Sequence, residues 1–127
     1  MSVATTEGIR VEVQPEYWEE RSAPEQGRFA FTYSVTISNT GSEPAQLLRR
    51  HWKIQDGTGE VQEVEGEGVV GKQPRLGPGE FFEYTSWVPL ATPIGTMRGT
   101  FLMERPDGTQ FRAEVPEFVL TVAHALH

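Results

Sequence analysis

No cysteine occurs among the 127 residues. That absence removes disulfides, thiol catalysis and thiolate metal sites together, and it suits a reducing cytoplasm, where the chain is expected to work. Long apolar runs are missing too. None approaches the roughly 20 residues of a membrane-spanning helix, and the opening "MSVATTEGIR" has neither the basic nor the apolar segment of a secretory signal. Membrane insertion is therefore not expected. Positive charge is scarce: 11 Lys and Arg stand against 18 Asp and Glu, for a net charge of −7. A nucleic-acid partner is not expected, because such surfaces usually carry a basic face. Histidine appears only as His51, His124 and His127, with no H-x-H or H-x-x-x-H pair, so no zinc site and no metal-ligating set is expected. The last two fall near a C-terminus expected to fray.

What remains has the make-up of an ordinary globular domain. The length suits one domain, residues 1–127, with a single core. Apolar residues make up 37% and aromatics 10%, enough to build that core, while 13 glycines and 9 prolines punctuate the chain as in folds of many short strands.

The clearest periodicity is "RFAFTYSVTISN", residues 28–39. Phe29, Phe31, Tyr33, Val35 and Ile37 share one parity and small or polar residues the other, as in a half-buried strand. Ile9, Val11 and Val13 alternate in the same way. Leu48, Trp52 and Ile54 are read onto one face, with Arg50 intruding on it. Phe82, Tyr84 and Val88 form a further set, as do Met97, Phe101 and Met103. Phe111, Ala113 and Val115 make another, and Phe118, Leu120 and Val122 close the series.

Turn chemistry separates these runs at Asn39-Thr40-Gly41, Asp56-Gly57-Thr58-Gly59, Pro78-Gly79 and Pro106-Asp107-Gly108. The last predicts a tight hairpin between residues 97–105 and 109–115. Helical spacing is nowhere sustained for three turns. Seven or eight short strands with regular turns predict an all-β, immunoglobulin or fibronectin type III-like antiparallel sandwich, with Trp52 as its core anchor.

Residues 66–79, "GEGVVGKQPRLGPG", contain G-x-G-x-x-G at Gly66, Gly68 and Gly71. In dinucleotide folds that motif leads into a helix whose free amides hold a phosphate. Here Pro74, Gly77, Pro78 and Gly79 follow, and they preclude the helix. Gly66, Gly71 and Lys72 fit most of a P-loop, but Gln73 stands where that motif needs the magnesium-binding hydroxyl. Two readings stay open. The glycines serve backbone conformation, through positive φ or close approach to a neighbour. Alternatively, successive amides form a nest for an anion such as pyrophosphate, with Lys72 and Arg75 supplying charge. Glu63, Glu65 and Glu67 oppose an anion and could instead meet a hard cation. Ser86 lacks the G-x-S-x-G elbow of a nucleophile, and no catalytic constellation or cofactor motif is present.

The stretches "RRHWKIQDGTG", "EVEGEGVVGKQPRLGPGE", "FEYTSW", "TPIGTMRGTFLM" and "DGTQFRAEVPEFVL" resemble the ApaG family in both letters and spacing. The resemblance departs at Trp87, where the family usually has glycine. It implies a fibronectin type III-like fold and a link to cobalt and magnesium homeostasis or efflux. It also implies an interaction-module role like that of the domain in larger proteins. The family's G-x-G-x-x-G loop carries a suggested pyrophosphate-binding role. The expectation is a non-enzymatic protein, without cofactor, acting as a monomer or homodimer on a protein partner. Contacts are expected through the glycine loop, Trp87 and strand edges. The alternative is a nucleotide or pyrophosphate binder using Gly66, Gly68, Gly71 and Lys72.

Overall fold

Strict alternation builds the first sheet of the computed structural model, which describes residues 2–122. Strand β1 (Ser2–Thr6) pairs with β2 (Ile9–Tyr17), β2 with β3 (Phe29–Asn39), and β3 with an edge strand at Phe81–Leu90. All pairings are antiparallel, and Ile9, Val11, Val13, Phe31, Val35 and Ile37 bury themselves on the inner face. Two single-turn 3-10 segments, Glu19–Arg21 and Pro24–Gln26, interrupt the connection from β2 to β3.

The second sheet comes from β4 (Ala45–Asp56), β5 (Val61–Glu67), a two-residue β6 (Arg75–Leu76), then, after β7 (Phe81–Leu90), β8 (Ile94–Glu104) and β9 (Gln110–Thr121). Its order is β5-β4-β8-β9, with β6 beside the start of β4. The two sheets face one another over a shared apolar core, an all-β sandwich of the fibronectin type III-like kind. No helix among the described residues is long and apolar enough to cross a membrane. The C-terminal fraying expected around His124 and His127 lies outside the described residues.

Nine strands are present among the described residues rather than seven or eight, because β1 and β6 are too short or too polar to show periodicity. The expected hairpin forms, with Glu104 opposite Gln110 and Gly108 at φ 87° in its turn. Two bulges account for the other departures. The β4–β8 register shifts between Leu47 and Arg49, so Ala45 and Leu47 face the core before the shift and Trp52 and Ile54 after it. Leu48 is therefore not on the core face, where the even-numbered set had put it. An inserted residue exchanges the two faces of everything downstream. A second shift, opposite Met97 and Gly99, joins the Phe111–Val115 and Phe118–Leu120 sets into one continuous β9.

At the end of β3, Asn39 does more than turn the chain. It is fully buried, donates to the carbonyls of Glu43 (2.7 Å) and Leu76 (3.0 Å), and accepts from the amide of Gly41 (3.0 Å). The side chain thus ties β6 and the β3–β4 loop to the first sheet. Asn39→Ala is expected to lower stability by about 1–2 kcal/mol in urea unfolding, since those groups lose a partner without gaining water.

Candidate functional site

The sandwich is closed along one side and open along the other. On the closed side β1 and β2 pack against β9. On the open side the edge strands are β7 and β5, and a cleft lies between them. Its outer part, about 270 Å³, runs between Ile54, Val64, Val88 and Met97, with Trp87 at the rim. Its inner part, about 190 Å³, is walled by Tyr33, Trp52, Tyr84, Ser86 and the tip of the glycine loop. Arg50 lines both parts and is the one charged side chain among the described residues that do so.

Arg50 owes its position to the β4 bulge. Downstream of the register shift the even-numbered side chains turn inward, and Arg50 turns with Trp52 and Ile54. Its Nη1 donates to the carbonyls of Glu67 (2.9 Å) and Gly68 (3.0 Å). No carboxylate among the described residues lies within ion-pair distance of it. Trp52 forms the floor, stacked edgewise on Tyr33 (5.4 Å between centroids), Phe101 (6.0 Å) and Phe118 (6.1 Å).

Two phenols complete the inner cleft. Burial raises the Tyr33 hydroxyl above its ordinary pKa, against the lowering effects of a hydrogen bond with Ser86 and of the Arg50 charge. Burial also raises the Tyr84 hydroxyl; Tyr33 adds to that shift and Arg50 opposes it. Both therefore remain neutral O–H groups across the physiological range. Tyr84 is 9% exposed, and its hydroxyl is buried without a hydrogen-bond partner.

At the start of the glycine loop the carbonyls of Glu67 and Gly68 turn toward Arg50 in this cleft. Val69 and Lys72 exchange two backbone hydrogen bonds (2.8 and 2.9 Å), closing a two-residue turn with Val70 at φ 44° and Gly71 at φ 79°. Gly68, also left-handed at φ 65°, donates to Leu48 O at 2.9 Å. The amides of Gly68, Val69 and Lys72 are thus engaged within the chain. As the prolines imply, β6 rather than a helix follows. Gly66 has no positive φ; a Cβ there would stand 2.9–3.0 Å from the Arg50 guanidinium. Lys72 is exposed.

His51 leaves β4 on the face opposite Trp52 and meets Glu63 at 2.7 Å (Nε2 to Oε1). Glu63 is thereby drawn to a histidine, and no cluster of three His, Cys, Asp or Glu side chains among the described residues could hold a metal ion. Ser86 faces Tyr33 in the cleft, away from His51. Sequence patterning singled out Gly66, Gly68 and Gly71 but assigned no functional role to Arg50 and read Tyr84 only as one of a strand-face set with Phe82 and Val88. The one signal was Arg50 standing on a parity otherwise occupied by Trp52 and Ile54.

Comparison with known proteins gives a consistent result. The ApaG domain family matches residues 19–105. Protein ApaG of Dechloromonas aromatica (strain RCB) is 56% identical over 127 residues, covering 98% of this chain and 100% of the relative. Protein ApaG of Azoarcus sp. (strain BH72) is 51% identical over the whole of both chains. A crystal structure of a Bordetella pertussis protein named as ApaA superposes with a TM-score of 0.89 at 52% identity, covering 92% of this chain and 95% of that one.

Proposed function

The chain belongs to the ApaG family, and on that premise we propose that it is a non-enzymatic interaction module. It receives a protein partner along the open side of the sandwich. The observation that supports this reading is where apolar surface is left uncovered. Of the seven large apolar residues exposed among the described residues, Val61, Val70, Phe81 and Trp87 lie on β5, the glycine loop and β7, and Val70 and Trp87 line the cleft itself, while Val3, Ile94 and Val119 lie on β1, β8 and β9. Surface of that kind beside unpaired strand edges suits an extended segment from another chain. Trp87 is 53% exposed and is held edge-on by Trp18 at 5.9 Å, a rigid aromatic contact at low entropic cost.

Val70 adds a second reason. A β-branched residue at positive φ is strained by about 1–2 kcal/mol, yet Val70 sits at a loop tip, exposed, with no core to fill. Strain retained at an exposed tip supports a role in recognition. A tie to cobalt and magnesium homeostasis then runs through the partner. A pyrophosphate reading of Gly66, Gly68, Gly71 and Lys72 would draw on amides of which those of Gly68 and Lys72 are already engaged, so it is not adopted.

The test uses affinity capture from native lysate with wild type, Trp87→Ser and Val70→Asn. Asparagine tolerates the left-handed conformation, so Val70→Asn should melt no lower than wild type. A partner retained by wild type and lost by both variants is the expected result. Retention unchanged by either substitution would overturn the reading.

A further inference from the structure

We propose that the inner cleft is a carboxylate-binding site, taking a single-charged carboxylate carried on an apolar group. The proposal rests on the interaction-module reading for the source it favours, an extended segment of a partner chain. Its chemistry follows from four observations. Arg50 is a half-buried guanidinium with no opposing carboxylate among the described residues, and Nη1 alone is occupied, by the carbonyls of Glu67 and Gly68. Nε and Nη2 remain to bind two oxygens side by side, the geometry that a carboxylate matches best. Beside it the Tyr84 hydroxyl is buried and has no partner, a state that in a folded protein calls for a ligand or an explanation. Tyr33 and Ser86, hydrogen-bonded to one another, leave one further O–H to donate in the same cavity.

Charge and shape then choose among anions. One cation against a chain of net charge −7, with Glu65 and Glu67 on the adjoining strand, offsets one negative charge and not the several of pyrophosphate. The outer cleft, lined by Ile54, Val64, Val88 and Met97, offers an apolar body its own wall next to the guanidinium. Gly66 belongs to the site by what it lacks: it leaves room for the Arg50 guanidinium to lie against the backbone of β5. The glycine loop thus contributes to anion recognition indirectly, by seating Arg50 with its carbonyls.

The experiment titrates the full chain, without any partner, with N-acetylphenylalanine, its amide, 3-phenylpropionate and pyrophosphate. Binding is followed by tryptophan fluorescence and by calorimetry. The acids should bind and the amide should not. Arg50→Gln should weaken the acid about tenfold or more, as loss of a charge-assisted pair does. Tyr84→Phe should weaken it severalfold while the free protein melts no lower, because an unpartnered hydroxyl has been removed. That combination is one a merely structural tyrosine would not give, and it stands even if Arg50→Gln fails to fold. Tighter binding of the acylated amino acid than of 3-phenylpropionate identifies a peptide as the source; the reverse order identifies a free organic acid. Equal binding of acid and amide, tighter binding of pyrophosphate than of either acid, or no binding at millimolar concentration would each overturn the proposal. None of these outcomes bears on partner capture through Trp87 and Val70, so the two readings can fail separately.

Discussion

Trp52→Ala is expected to cost about 3–5 kcal/mol of unfolding free energy, the range for truncating a large buried aromatic. Trp52 is 3% exposed and stands between the sheets, edge-on to Tyr33 from β3, Phe101 from β8 and Phe118 from β9. No one neighbour can fill the space, because each ring is fixed by its own strand. The substitution would also remove the floor of the cleft. Trp87→Ala deletes the same atoms from a position that is 53% exposed, where Trp18 supplies the ring contact. It should cost less than about 1 kcal/mol. Urea titrations of both variants, with unchanged slopes, are the measurement. Equal costs for the two tryptophans would mean that Trp52 does not hold the sheets together in this way.

That contrast also shows where sequence patterning succeeds. Phe31, Tyr33, Val35 and Ile37 alternate without interruption because β3 is central in its sheet and carries no bulge, so its inner face can be read directly. Leu48 misleads because the β4 bulge exchanges faces midway along a strand, and nothing in "AQLLRRHW" marks which residue is the extra one. The same exchange hides the site. Arg50 reads as an intruder on an apolar parity when its role is to bring a cation between the sheets, and Tyr84 reads as one more core aromatic until its hydroxyl is found without a partner. The glycines are legible in the opposite sense. Their spacing attracts notice, but whether they present amides or carbonyls depends on backbone angles that letters do not carry.

For the three glycines, alanine substitution should give three different results. Gly68→Ala is the severe case, at about 2–4 kcal/mol. Left-handed geometry alone strains alanine by about 1–2 kcal/mol. In addition, the new Cβ at Gly68 would run into the carbonyl oxygen of Lys72, which already accepts from Val69 and cannot move freely; such overpacking costs about 1–3 kcal/mol more. Gly71→Ala meets nothing within 4 Å, so only the strain of φ 79° applies, about 1–2 kcal/mol. Gly66→Ala is unstrained and meets only the end of a flexible arginine, so stability should fall by less than about 1 kcal/mol while the guanidinium leaves its seat. Its measurable consequence is weaker carboxylate binding. Lys72→Ala, at an exposed position, should change little. A phosphate nest makes the contrary prediction: unchanged melting in all four variants, with pyrophosphate binding abolished. Melting and ligand titration of the same four proteins therefore decide whether this loop shapes the cleft or holds an anion itself.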